Sequence, residues 1–514
     1  MSTNNAAAPQ SEQALFDIAN HAAEQFSQFD LAHVTKIVQA VKTAAQERSE
    51  HYAQWAVSES GMGDVASKKV KNDLNTLVAD GDISAYVQPR VEKNKNIITF
   101  PKPAGVIVAL VPCTNPVATI YFKVLCCLMT RNAVILCPHP KAKKCSYDAA
   151  QYLMSVAERM GAPKGAIQCL QEPDVKLVNQ LMKSSECKLT LATGGPAMVR
   201  AAYSSGNPAI GVGPGNPVAY VHESADIAHA AECLIASVSF DNCLLCTSES
   251  LVLADKAIAG ELKDQLTAKG AAFIESPEEA RKLRDFLFPN NAINAKAIGQ
   301  SAQWIAQQCG FTVPESTKIL VTEVHIIGPE EVMAKEKMFP AIGFMTIDGV
   351  DHATRSMQSQ LAISGVGHSA VIHSNDYDVI AKIGGTLPVC RIAVNVGGAT
   401  GSTGFESHVD QGAVIGTGYF GRSSVHENVG PKHLIQWTQM AFHAEKAFSA
   451  NEAQNALTLF EKNQSTRIQS TIAAISSQDE SQVTYPAASN VNSDELRELI
   501  RELLQQELKQ LLGK

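Results

Sequence analysis

The sequence predicts an α/β protein with two doubly wound α/β domains in series, and three observations point there. Short Val/Ile-rich runs alternate with amphipathic helical stretches, the pattern of βαβ crossovers around a parallel sheet. That alternation occurs over residues 105–195 and resumes after about residue 244. With 514 residues, 45% of them hydrophobic and 18% charged, the chain has apolar material for two large cores, and a disordered chain is excluded.

In chain order, residues 1–14 are rich in Ala, Asn, Ser and Gln and read as a mobile tail. From 15 to about 82, apolar residues recur at helical spacing, as in Val34, Ile37, Val38 and Val41. Residues 105–111 (GVIVALV) lie between Pro103 and Pro112 and read as a strand buried on both faces. A helix is expected over 120–130, a strand over 133–137 stopped by Pro138, and a helix over 146–160. Strands at 166–170 and 187–191 follow, the last leading into Thr193-Gly194-Gly195. Further strands are expected at 250–253, 324–327, 344–347, 370–373 and 391–394.

Forty-three Lys and Arg against 51 Asp and Glu leave a net charge of −8, which argues against a nucleic-acid partner. The longest apolar runs, such as 104–110, are too short to cross a bilayer, so no membrane partner is expected. The first ten residues carry no basic region ahead of an apolar stretch, and the 12 cysteines read as free thiols in a reducing cytoplasm. No metal is expected: Cys243-Leu244-Leu245-Cys246 has CxxC spacing, but a second pair and a His pair at ligand spacing are missing from the sequence. Taken alone, both thiols read as buried small hydrophobes.

The neighbourhood of Cys246 changes that reading. Ser239-Phe240-Asp241-Asn242-Cys243-Leu244-Leu245-Cys246-Thr247 resembles the nucleophile loop of the aldehyde dehydrogenase superfamily, in its coenzyme A-acylating branch, where FDN precedes the catalytic cysteine. Cys246 fills the nucleophile position, and Cys243 takes a place often held by a smaller residue. Val111-Pro112-Cys113-Thr114-Asn115-Pro116 resembles the strand-end motif that sets an asparagine amide, here Asn115, on the substrate oxygen, with Thr114 on the cofactor side. Pro138 and His139, in Cys137-Pro138-His139-Pro140-Lys141-Ala142-Lys143, fall where relatives meet the adenosine part of a dinucleotide. Thr193, Gly194 and Gly195 resemble the cofactor-side loop, and Gly213 lies in the glycine-rich strand end Gly211-Val212-Gly213-Pro214-Gly215-Asn216. Glu336, in Glu336-Lys337-Met338-Phe339-Pro340, matches the glutamate that binds the nicotinamide ribose. Gly367-His368-Ser369 and the stretch from Glu427 to Leu434 are similar to segments of bifunctional and microcompartment acetaldehyde dehydrogenases.

The resemblance spans roughly residues 15–462 and implies an aldehyde dehydrogenase-like fold. A Rossmann-like dinucleotide-binding domain is expected over 15–236 and a catalytic domain over 237–424. A returning segment over 425–462 would supply a β-arm for oligomerisation, as a dimer or tetramer. The cofactor implied is NAD, with coenzyme A as co-substrate. Ala142 stands where many NAD-preferring relatives have a carboxylate, and Lys141 and Lys143 would tolerate a phosphate, so NADP is open.

The chemistry of these residue types fits. A cysteine thiolate attacks an aldehyde carbonyl, giving an alkoxide that needs positioned donors. Asn115 and the backbone N–H of Cys246 would supply them, and loss of hydride would leave a thioester. Hydrolytic relatives carry a glutamate at the start of the motif that here reads Gly211-Val212-Gly213-Pro214-Gly215, where there is no carboxylate. The thioester should then persist until CoA takes the acyl group. His368 is a candidate local proton carrier. The alternatives are a hydrolytic enzyme making a free acid, a sulfoacetaldehyde-type acylating enzyme, and an assembly protein that keeps only the fold.

Residues 463–492 are mostly Ser, Gln, Thr, Asn and Ala and read as a polar linker. Over 493–514, Leu496, Leu499, Ile500, Leu503, Leu504, Leu508 and Leu511 form one apolar stripe behind the N-cap Ser493. This pairing resembles the encapsulation peptides of microcompartment cargo, which implies a shell protein or other cargo as partner, location inside a bacterial microcompartment, and a short aldehyde such as acetaldehyde or propionaldehyde as substrate. A small coiled coil, or a helix docked on its own domain, is the other reading.

Overall fold

The structure is a computed structural model that describes residues 11–92 and 96–444, together with 452, 455, 457, 458 and 460. Residues 1–10, the linker 463–492 and the segment 493–514 lie outside the described residues. Among the described residues, fifteen strands form three sheets. In chain order they are β1 (Arg90–Glu92), β2 (Ile97–Pro103), β3 (Val106–Val111), β4 (Ala133–Pro138), β5 (Ile167–Cys169), β6 (Leu189–Ala192), β7 (Ala209–Gly211) and β8 (Val218–Val221). These are followed by β9 (Leu251–Asp255), β10 (Ala271–Phe273), β11 (Ile319–Glu323), β12 (Ala341–Ile347), β13 (Gly367–His373), β14 (Val389–Val394) and β15 (Ile435–Ala441).

The first sheet is five-stranded and parallel, in the order β5-β4-β3-β6-β7. All six residues of β3 are buried, as helices on both faces require of a central parallel strand. Helix Pro116–Met129 is buried all round, and Pro116 starts it at a position whose N–H would lack a helical partner anyway. The second sheet is seven-stranded and parallel, in the order β10-β11-β12-β9-β8-β13-β14. Side chains alternate across it. Val218, Tyr220, Leu251 and Leu253 join the core on one face, while Ala219, Val221, Val252 and Ala254 join the core on the other. β1, β2 and β15 make a small antiparallel sheet.

The structure departs from expectation in several places. Ser11 caps helix Glu12–Ser27, its Oγ accepting from the Ala14 N–H, so residues 11–14 of the expected 1–14 tail belong to a helix and its cap. β8 is the first strand of the second sheet in chain order, and residues of helix Ile227–Ser239 join the core on one face of that sheet. β7, β8 and β10 were not expected, because strands of three or four residues carry too little pattern. The strand expected at 324–327 lies five residues earlier, as β11, because the apolar run Ile319–Val321 is the part that pairs. β15 pairs with β2 of its own chain, and past Ile435 its residues are exposed.

Candidate active site

In the first sheet the chain runs from β3 to β4 and β5, then returns to β6 on the other side of β3. The carboxyl ends of β3 and β6 therefore flank a topological switch point, where open α/β sheets bind ligands. Lys123, fully buried, donates to Leu110 O (2.6 Å) and Leu191 O (3.0 Å), tying these two strand ends together. Burial pushes its ammonium down to about 7. The loops beyond β3 and β6 face the turn that enters β9, and between them lies a cavity of about 330 Å³.

Cys246, Asn115, Thr114, His139, Thr193, Gly194, Gly195, Gly213 and Glu336 all line this cavity. Two sequence-derived residues do not. Pro138 is the buried last residue of β4, one position before His139. His368 is buried behind the nucleophile loop, with Nδ1 2.9 Å from Ser369 Oγ and Nε2 without a partner among the described residues. Burial, then Arg391, pushes its imidazole down to about 3, so it is neutral at physiological pH.

Cys246 is half-buried at the cavity wall, whereas Cys243 is fully buried in the apolar core beside the second sheet. The CxxC spacing thus places the two thiols in different environments. The turn that delivers Cys246 is strained: Asp241, Asn242 and Cys243 all have positive φ (51°, 54° and 65°), a region that residues with a Cβ rarely occupy. Asn242 holds it by donating to Gly299 O at 2.9 Å. Burial, then Glu336, pushes the Cys246 thiol up to about 12. The resting nucleophile is therefore a thiol that must lose its proton to react.

Asn115 ends the loop after β3. Its Nδ2 donates to Leu244 O at 3.1 Å and its Oδ1 accepts from Lys71 Nζ at 2.8 Å. Gly215 packs so tightly on the nucleophile loop that an added Cβ would overlap the Cys246 carbonyl oxygen. Its N–H donates to Glu336 Oε1 at 3.1 Å, and burial raises that carboxyl to about 7. Lys337, buried next to it, clamps this loop by donating to Ser250 O (2.8 Å) and Lys335 O (3.0 Å).

The cofactor end of the cavity fits a nicotinamide dinucleotide. Among the described residues the buried Thr193 hydroxyl has no hydrogen-bond partner, and a Cβ on Gly194 or Gly195 would meet nothing within 4 Å. Gly195 caps helix Pro196–Tyr203, whose N-terminus suits a pyrophosphate. The other end is walled by Phe240, Leu245, Phe405 and Ile415 with Thr400 and Thr403. Sequence reasoning missed this 400–415 wall, which has no periodicity to mark it, and it missed Lys71. No group of three or more His, Cys, Asp or Glu among the described residues is placed to hold a metal ion.

Residues 1–282 match the sequence profile of the aldehyde dehydrogenase family. The chain is 35% identical over 443 residues to the bifunctional aldehyde-alcohol dehydrogenase AdhE of Escherichia coli, covering 84% of this chain and 49% of that protein. It therefore spans about half the length of the bifunctional relatives it matches. Among solved structures, an acetylating aldehyde dehydrogenase from Geobacillus thermoglucosidasius superposes with a TM-score of 0.82 at 34% identity, covering 85% of this chain and 97% of that one. A propionaldehyde dehydrogenase from the Clostridium phytofermentans fucose utilisation bacterial microcompartment gives 0.78 at 26%, covering 86% and 99%. Profile, relatives and solved structures agree with a cleft centred on a cysteine, and the chain belongs to the aldehyde dehydrogenase family.

Proposed function

We propose that the protein is a CoA-acylating aldehyde dehydrogenase that converts a short, uncharged aldehyde, a nicotinamide dinucleotide and CoA into acyl-CoA and the reduced cofactor, reversibly. The observation that carries this reading is the glycine strand end against Cys246. Gly211 stands at the start of this motif, where hydrolytic relatives hold a water-activating glutamate, and further along it Gly215 packs on the Cys246 carbonyl with no room for a side chain.

In this reading the Cys246 thiolate adds to the aldehyde carbon, and the new alkoxide takes hydrogen bonds from the Asn115 amide and the Cys246 N–H. Thr114, His139, Thr193, Gly194, Gly195, Gly213 and Glu336 would hold NAD, or NADP as the alternative, which would supply the hydride acceptor. Cys246 is left as a thioester, CoA sulfur attacks it, and the cysteine thiolate leaves as acyl-CoA forms. His368, the proton carrier the sequence suggested, lies outside the cavity with its imidazole pushed down to about 3, so this reading assigns it no proton-transfer step. Phe240, Leu245, Phe405 and Ile415 suit a two- or three-carbon chain such as acetaldehyde or propionaldehyde. The lysine in this wall, Lys71, is paired with Asp241 and therefore offers little to a carboxylate or sulfonate tail. Strict dependence of sustained NADH formation on CoA is the test.

The segment 493–514 is read as an encapsulation peptide, a helix that binds a shell protein or other cargo through its leucine stripe. The relative from a microcompartment supports this reading. Deleting 493–514 is expected to leave kcat/KM within about twofold while abolishing co-sedimentation with shell protein. A collapse of turnover would show instead that the segment stabilises the catalytic body.

A further inference from the structure

Helix Val65–Thr76 turns an unusual face inward. Lys68, Lys71, Asn72 and Asn75 are buried, while Val70 is 44% exposed. An amphipathic helix ordinarily does the reverse. The two lysines converge on the fully buried carboxylate of Asp241, with Lys68 Nζ 3.0 Å and Lys71 Nζ 2.6 Å from its Oδ2. Asp241 Oδ1 accepts from the Asp64 N–H at 2.9 Å. Lys68 also donates to Thr114 O at 2.8 Å. Lys71 donates to Asn115 Oδ1 at 2.8 Å and to Leu244 O at 3.1 Å, so all three of its hydrogens are engaged.

An ammonium donates only, which dictates how Asn115 stands. The amide oxygen must face Lys71, so both Nδ2 hydrogens point away from it. One goes to Leu244 O at 3.1 Å, and the other, on the cavity that Asn115 lines, has only a long 3.5 Å contact to Thr114 Oγ1 to give up to an oxyanion. With a partner that also accepts, the amide could turn half a revolution and present its oxygen to a developing alkoxide, which would repel it.

We infer that Lys71, anchored by Asp241, is a positioning residue that locks the Asn115 amide in the orientation that donates to the oxyanion. This rests on the role given to Asn115 and Cys246 in the proposed function.

The test compares two reagents for Cys246 that need neither NAD nor CoA. Acylation by p-nitrophenyl acetate passes through a tetrahedral alkoxide and releases p-nitrophenolate. Alkylation by iodoacetamide displaces iodide directly and forms no oxyanion. Lys71→Met in the full chain is expected to slow acylation by about 100-fold, as loss of one oxyanion donor does, and to leave alkylation within about threefold. In an Asn115→Ala background, Lys71→Met should slow acylation no further, because the group it acts through is gone. Equal losses with both reagents, or losses that multiply across the two substitutions, would overturn the inference. If Lys71→Met does not fold, Lys71→Gln makes the same comparison, since a glutamine amide donates and accepts and no longer dictates which end of Asn115 faces it. Failure of the CoA-acylating reading shows separately, as wild-type protein that is acylated by the ester yet forms no NADH with aldehyde and CoA.

Discussion

Cys246→Ala is expected to yield a folded protein that still binds nicotinamide dinucleotide and has lost turnover by a factor on the order of 10⁵ or more. The side chain is half-buried at the edge of the cavity rather than packed in a core, so its removal leaves little void and little loss of stability. Intact-mass measurement after exposure to p-nitrophenyl acetate should show the acyl adduct on wild-type protein and none on the variant. Turnover above about 1% of wild type would move the nucleophile elsewhere. Cys243, the neighbour in sequence, is sealed in the core, so the thiol to test next is Cys113, which lines the same cavity.

Gly215→Ala should be nearly as damaging, although it adds one methyl group and changes no reacting atom. Its Cβ would overlap the Cys246 carbonyl oxygen and stand 3.0 Å from the carbonyl carbon and 3.1 Å from His368 Cε1. Backbone cannot move aside as the end of a flexible side chain can, so the nucleophile loop must shift. A displacement of about 1 Å costs on the order of 100-fold in rate, and the contact between Gly215 N–H and Glu336 is disturbed as well. The expected result is kcat reduced at least 100-fold with a lowered Tm, whereas Gly194→Ala, whose Cβ meets nothing within 4 Å, should keep the wild-type Tm. Wild-type kcat in Gly215→Ala would mean that the loop is not held where the structure puts it.

The central strands were legible because they are buried on both faces. Val106–Val111 and Ala133–Pro138 are unbroken apolar runs, and tertiary packing has nothing to override. Cys246 and Asn115 were legible for a different reason: their motifs follow one another in the order of a known family, and the structure brings both to one cavity. What sequence could not show is geometry produced by the fold. Ala209–Gly211 and Ala271–Phe273 are strands only because neighbours offer them hydrogen bonds. Val218–Val221 belongs to the second sheet although the first domain was expected to run on to residue 236. Lys71 escaped notice because helical periodicity is read from apolar residues, and here the buried face is ionic. The partner that makes its burial tolerable, Asp241, lies 170 residues away in sequence.

The central claim is that the Cys246 thioester waits for a thiol rather than for water. The most direct measurement follows NADH by absorbance with purified protein, NAD and either acetaldehyde or propionaldehyde, with and without free CoA. The account predicts at most one equivalent of NADH per Cys246 without CoA, then sustained formation of NADH and acyl-CoA once CoA is added. Sustained NADH formation without CoA, with free acid as product, would contradict it. Glu336, held near neutrality beside the nucleophile, would then be the carboxylate placed to activate water.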